Sequence, residues 1–209
     1  IYVNETGWWI EGGSFNPSPT PLQSAVGNAS RGDTIVVKSG NYSESVTVDK
    51  PLTIVSEMGP NYTKIEPPSG AAFYVVANCV TIAGFSISGG DYGAYATNVR
   101  NFMLANCTIS FCASAGIEVE KSANIMLYNN MVESCYAGIC LSNVRYFAVL
   151  YSSVVKSFTD GILLTSVAHG VVANNHVLYS GEKGINMPWM GNDLVIAYNV
   201  IANNSLGIA

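Results

Sequence analysis

The residues best placed to do chemistry are two glutamates one position apart, in the run Gly116-Ile117-Glu118-Val119-Glu120-Lys121. On an extended strand Glu118 and Glu120 point to one face about 7 Å apart, since each residue advances the chain about 3.3 Å. That separation is close to the carboxylate spacing used in glycoside hydrolysis. Any two outward residues on a strand share it, however, and with Lys121 alongside, a solvated strand face is the plainer reading. Histidine chemistry is sparse. His169 and His176 are the only two, and neither belongs to a Met-His cluster that would suit copper. The five cysteines, Cys79, Cys107, Cys112, Cys135 and Cys140, form no Cys-x-x-Cys pair, which argues against zinc and thioredoxin-type sites. No metal or other cofactor is expected.

A repeat sets where these residues stand. Glycines recur at 93, 116, 138, 161, 184 and 207, and from 116 onward each is followed by Ile. A fixed period of about 23 residues is the mark of a solenoid. A second signature lies inside each period: Ile125-x-Leu127-x-x-Asn130-x-Val132, with counterparts beginning at Phe102, Ala148, Gly170 and Leu194. These segments are short, alternating and rich in β-branched residues, so they read as strands. A leucine-rich repeat would fill the remainder of the period with a Leu-spaced helix or 3₁₀ segment. Here Gly-Ile-x-Leu offers another strand. The fold class is therefore all-β, a single-stranded parallel β-helix, right-handed by the usual preference of parallel crossovers.

In that coil Asn130, Asn175 and Asn199 fall in one inward column, with Cys107 and Ser153 as small polar substitutes. Stacked amides at a turn satisfy one another and the backbone, so this ladder reads as structural. Cys112 and Cys135 occupy equivalent positions on adjacent turns. Their Cα atoms would lie about 4.8 Å apart, within disulfide range, but with near-parallel Cβ vectors, so a thiol ladder competes with a bond. Cys140 reads as outward-facing, a candidate intermolecular cross-link, unless a neighbouring loop shields it.

The N-terminal third reads as a lid. Thr20-Pro21-Leu22-Gln23 spells a capping box with Pro in the first turn, opening a short helix that runs to about Ala29 with Leu22, Ala25, Val26 and Ala29 as its apolar stripe. Residues 1–32 are thus an N-terminal segment and capping helix, and residues 33–209 the coil. At the other end Gly207-Ile208-Ala209 opens a further turn without a cap, which favours edge-to-edge docking on another copy, unless the chain is a fragment.

Composition limits the partners. Of 209 residues 49% are apolar and 11% charged, against roughly 25% charged in typical domains. No run of about 18 apolar residues offers a membrane span. A net charge of −5 with no basic run along the sequence makes nucleic acid a poor partner. The chain starts at Ile1 without an initiator Met, which fits a removed targeting segment or a fragment. Asn4, Asn28, Asn41, Asn61, Asn106 and Asn203 head Asn-x-Ser/Thr sequons and are candidate glycosylation sites of an exported protein.

The run Gly32-Asp33-Thr34-Ile35-Val36-Val37, then Gly40-Asn41-Tyr42, then Val48-Asp49-Lys50-Pro51-Leu52-Thr53-Ile54 resembles the opening of pectate-lyase-like β-helix proteins. It is similar above all to their periplasmic copper-processing and archaeal cell-surface branches, over about residues 20–209. The resemblance implies the fold and leaves activity open. A polysaccharide lyase of that kind would stack acidic residues for calcium beside an Arg or Lys base, and a polygalacturonase would show an Asp-Asp pair, Gly-His-Gly and Arg-x-Lys. Only His169-Gly170 is present. The expectation is a non-enzymatic extracellular structural protein of the cell surface that self-associates as a surface-layer, sheath or filament subunit. The alternatives are a carbohydrate-binding or polysaccharide-cleaving module, with envelope polysaccharide as partner, and a domain of a larger adhesin. A row of aromatics over successive turns would favour the carbohydrate reading, and Tyr128, Tyr151 and Ala173 make only a partial one.

Overall fold

The computed structural model describes residues 1–189 and 192–209. The chain winds into a right-handed parallel β-solenoid of about 8 turns of about 23 residues, with one short helix. Each turn contributes a strand to three sheets. Turn by turn, the first sheet holds Thr34–Val37, Thr53–Ser56, Val80–Ala83, Arg100–Ala105, Ala123–Tyr128, Arg145–Leu150, Ala168–Ala173 and Asn192–Ala197. The second runs from Gly40–Tyr42 to Val200–Ala202 and the third from Val46–Val48 to Leu206–Ile208, with eight strands each. Before the helix, Tyr2–Asn4 joins the first sheet beside Thr34–Val37, and Gly7–Trp9 and Asn16–Pro17 extend it antiparallel. Inward positions stack like on like. Ile54, Ile82, Leu104, Leu127, Val149 and Val172 follow one another in register in the first sheet and are essentially fully buried. Each such side chain contributes on the order of 2 kcal/mol by leaving water.

The repeat glycines owe their identity to closeness rather than to an unusual backbone. A Cβ added at Gly116, Gly138 or Gly161 would come nearer than 3.0 Å to the γ-methyl of Val132, Val154 or Val177, on the second-sheet strand of the next turn. At Gly138 it would also press into the Gly161 carbonyl, which is backbone and has little room to move. Unusual backbone is found at the corners instead. Asn106, Asn129, Tyr151, Asn174 and Tyr198 all hold positive φ at the bend from first to second sheet, as do Phe111, Ser134, Lys156, Tyr179 and Asn203 at the bend from second to third. Asn tolerates this region through local hydrogen bonding, whereas Tyr, Phe and Lys meet a steric cost there.

Next to the first of these bends runs the polar ladder. The Asn130 Oδ1 accepts from the Cys107 amide at 3.1 Å, and its Nδ2 donates to the Leu104 carbonyl at 2.9 Å. Asn175 accepts from the Ser152 amide at 2.8 Å and donates to the Val149 carbonyl at 2.8 Å, and Asn199 receives the Asn175 amide at 2.9 Å. The ladder runs through Ser152, not Ser153. The segment that aligns is Phe147-x-Val149-x-x-Ser152-x-Val154, which puts Ser153 on the outer face between Met131 and His176. The turn that contains it is offset by 22 residues, because the bend Cys135-Tyr136-Ala137 is one residue shorter than Cys112-Ala113-Ser114-Ala115. A one-residue slip exchanges every inward and outward side chain. The same slip puts Leu150 rather than Tyr151 in register with Tyr128, although the two tyrosine rings still meet edge-on with centroids 5.5 Å apart.

The helix Pro21–Asn28 packs Leu22, Ala25 and Val26 into the core. Its capping box does not form: Thr20 makes no side-chain cap hydrogen bond. The buried carboxylate of Glu44 takes that role from across the coil, accepting the Leu22 amide at 3.0 Å and the Gln23 amide at 2.9 Å. At the other helix end the Lys50 ammonium donates to the Gly27 and Ala29 carbonyls at 3.0 and 3.2 Å. Charged groups from the coil therefore complement both ends of the helix dipole.

Candidate functional site

The candidate site lies on the outer face of the third sheet, where strands Ala71–Val75, Tyr92–Thr97, Ala115–Glu120 and Ala137–Ser142 stack. Along one outer column the register carries Tyr74, Tyr95, Glu118, Cys140, Leu163 and Asn186. The next column holds Thr97, Glu120, Ser142 and Thr165, and then Trp189 rather than Pro188, because the register shifts after Leu163. Tyr74 and Tyr95 pack with ring centroids 5.4 Å apart, and Tyr92 stacks on Tyr95 at 5.1 Å. The three rings edge a recess of about 290 Å³ floored by Ser45, Thr47 and Gly70.

Glu118 and Glu120 adjoin these rings. The Tyr95 hydroxyl donates to the Glu120 Oε2 at 2.9 Å, which fixes both side chains. Burial, reinforced by that carboxylate, pushes the Tyr95 hydroxyl up to about 12. Burial first, and then the charge on Glu120, raise the Glu118 carboxyl to about 7, against a lowering hydrogen bond with Cys140. The pair therefore has unlike members: a Glu120 held by a tyrosine hydroxyl, and a Glu118 whose carboxyl burial raises to about 7. Unlike carboxylates on an aromatic-edged face could contact sugar hydroxyls or pass a proton.

Cys140 is not an exposed thiol. It points out of the coil, but Ala115, Ala137, Tyr92 and Leu163 roof it to 7% exposure. The exposed cysteine is Cys79. Cys112 and Cys135 stand in one inward column as free thiols, with the Cys112 amide directed at the Cys135 sulfur at 3.4 Å. Below them the column continues through Ser157, Ser180 and Asn204, and the hydroxyls of both serines are buried without a partner. Among the sequon residues, Asn28, Asn41, Asn61, Asn106 and Asn203 are exposed. Asn4 is half-buried, its Oδ1 accepting from the Thr6 amide and hydroxyl.

The two histidines lie on different sheets. His169 stacks on Tyr146 at 4.9 Å and pairs with Asp193 at 3.0 Å, while His176 is outward in the second sheet. Among the described residues no three of His, Cys, Asp and Glu come together as a metal site. The sequence reading found Glu118 and Glu120 but missed the tyrosines beside them. Their signal was the paired spelling Phe73-Tyr74 and Ala94-Tyr95 in register.

Comparison with known proteins finds the same coil in solved structures and a partial match to a surface glycoprotein. The solved pectate lyase Pel9A superposes with a TM-score of 0.78 at 17% identity, over 99% of this chain and 66% of that one. The periplasmic alginate epimerase AlgG gives 0.66 at 17% identity, over 86% and 49%. At such identities the likeness concerns the fold alone. A cell surface glycoprotein of Methanothermus fervidus is 35% identical over 101 residues, 47% of this chain, which spans 17% of that protein's length. The family described as periplasmic copper-binding protein (NosD) matches residues 26–209, and the chain belongs to it.

Proposed function

We propose that this chain is a structural β-helix of the cell surface that associates with further copies along its flank. The observation that carries the reading is an apolar ridge at the bend from second to third sheet. Phe111, Tyr136 and Phe158 are 67%, 55% and 72% exposed there, around an open recess of about 370 Å³. Clustered exposed rings on a chain with few charges are characteristic of a contact surface. The curated surface glycoprotein relative supports an extracellular or envelope location, and no helix among the described residues is long and apolar enough to cross a membrane. The copper in the family's description does not fit the donors described above, so no chemistry at this site is routed through it. Five exposed sequon residues fit a glycan-coated exterior. Sedimentation of wild-type protein and Phe158→Ser at matched concentrations tests the reading. Wild-type oligomers that disperse in the variant support it, and a monomer at all concentrations refutes it.

A second reading has its own observation, the Tyr74, Tyr92 and Tyr95 cluster beside Glu118 and Glu120. It is a polysaccharide contact on the third-sheet face, with rings for sugar faces and carboxylates for hydroxyls. Titration with neutral and acidic glycans, monitored by tyrosine fluorescence, tests it through Tyr74→Ala. Binding unaffected by that change removes this reading and leaves the first untouched.

A further inference from the structure

The coil brings together cations that are scattered along the sequence. Of nine Lys and Arg in a chain of net charge −5, three line one groove at the bend from third to first sheet: Arg100, Lys121 and Arg145. Arg100 and Arg145 begin strands two turns apart and pair in register through Ala123, whose small side chain leaves the space between them open. Two strand spacings put their backbones about 10 Å apart. Lys121 sits on the corner of the turn between them. Asn98, Asn143 and Ser166 complete a polar wall, and no carboxylate lines the groove, whose volume is about 560 Å³.

These cations are the ones gathered in a single groove without a countercharge; Arg31 and Lys183 also make no ion pair among the described residues but do not line it. Lys38 pairs with Glu57, Lys64 with Glu66 and Lys156 with Glu133, and Lys50 is spent on the helix end. Among the described residues Arg100, Lys121 and Arg145 make no ion pair, and all three are exposed. Three like charges held within one groove repel one another, and an anion from outside relieves that repulsion.

We infer that this groove binds an acidic glycan strand, its carboxylate or sulfate groups seated on Arg100 and Arg145 with Lys121 between them. Guanidinium groups grip carboxylates and tetrahedral oxyanions alike in two-pronged fashion. The amides and hydroxyl of Asn98, Asn143 and Ser166 suit the sugar hydroxyls between the charges. The groove is open and crosses several turns, so it suits an extended chain rather than a compact apolar ligand. Nucleic acid fits less well, because no aromatic ring lines the groove to stack bases and the rest of the chain is acidic. The site is separate from the tyrosine face and from the apolar ridge, and stands whether or not either of those readings holds.

Calorimetry with chondroitin sulfate, with dextran as neutral control and single-stranded DNA as an alternative polyanion, tests the inference. Expected is binding of chondroitin sulfate that weakens with salt, no binding of dextran, and weaker binding of DNA. Arg145→Gln should lower the affinity at least about tenfold, as expected for loss of one charge-assisted hydrogen bond. Arg145→Lys keeps the charge without the fork and should fall between the two. All three positions are exposed, and circular dichroism confirms that the variants remain folded. Absence of chondroitin sulfate binding at low salt overturns the inference. So does affinity unchanged in Arg145→Gln, or DNA bound as tightly as the glycan.

Discussion

Replacing Glu118 by Gln should flatten the dependence of stability on pH. In the folded chain burial and the neighbouring Glu120 raise the Glu118 carboxyl from its ordinary 4.5 to about 7. The folded state therefore holds the proton more tightly than the unfolded state. A raised group of this kind contributes stability that is fully present below pH 4.5 and lost as pH rises through 7. At about 1.36 kcal/mol per pH unit the full span is worth about 3 kcal/mol, and partial exposure reduces this to roughly 1.5 kcal/mol. Urea unfolding followed by circular dichroism at pH 5 and pH 8, for wild type and Glu118→Gln, measures it. Wild type should lose roughly 1.5 kcal/mol more than the variant between those values. Glu44, also raised by burial, titrates in both proteins and cancels in the difference. Cys140 and Tyr95, which also face this site, are pushed upward and stay protonated throughout the window. Parallel profiles, or a wild type that gains on the variant as pH rises, would refute the reasoning.

Asn175→Ala leaves the Ser152 amide and the Val149 carbonyl without partners in the core, which should cost roughly 2–4 kcal/mol in denaturant unfolding, since each stranded group costs about 1–3 kcal/mol. The same change at half-buried Asn174 loses no core hydrogen bond and should cost only the roughly 1 kcal/mol of holding Ala at positive φ. Gly138→Ala forces a methyl against Val154 and the Gly161 carbonyl, and should lower stability by about 1–3 kcal/mol or more, as overpacking does. Glu44→Ala uncaps the helix and should cost about 1–2 kcal/mol, whereas Thr20→Ala should be close to neutral; comparable losses from the two changes would contradict the observed cap. A thiol reagent on folded protein should label Cys79 quickly and the other four cysteines only on unfolding.

Most of the fold was legible because the coil writes itself periodically: Gly-Ile every turn and the alternating Ile125-x-Leu127 pattern follow from side chains stacking like on like. The slip at Ser152 shows where that legibility ends. Phe147-x-Val149 and Ala148-x-Leu150 are both apolar alternations, so composition could not choose between them. The deciding clue, the 22-residue interval from Gly116 to Gly138, lies in a bend rather than in the strands themselves. Glu44 escaped notice for another reason. A capping box is a local motif, and its carboxylate was supplied from two strands away. The burial of Cys140 depends on the sizes of neighbours in adjacent turns, which no single strand records.

Sites on such a coil are built differently from its core. An inward column must accept what the turns above and below present, as Gly170 does in leaving room for the Phe147 ring. An outward column has no such partner, so its residues can change one turn at a time without disturbing the stack. Chemistry then depends on neighbours about 23 residues apart rather than on any contiguous motif. Tyr95 reaches Glu120, and Arg100 and Arg145 come to flank Ala123, by this means alone. A one-residue change in a bend keeps these columns intact only if the following strand keeps its inward set, and the shortened Cys135-Tyr136-Ala137 bend does so: Ile139 still pairs with Ile117, and Cys140 with Glu118. Fold and site are therefore read at different ranges in this chain, which is why the family likeness fixes the first and leaves the second to be decided on the outer columns.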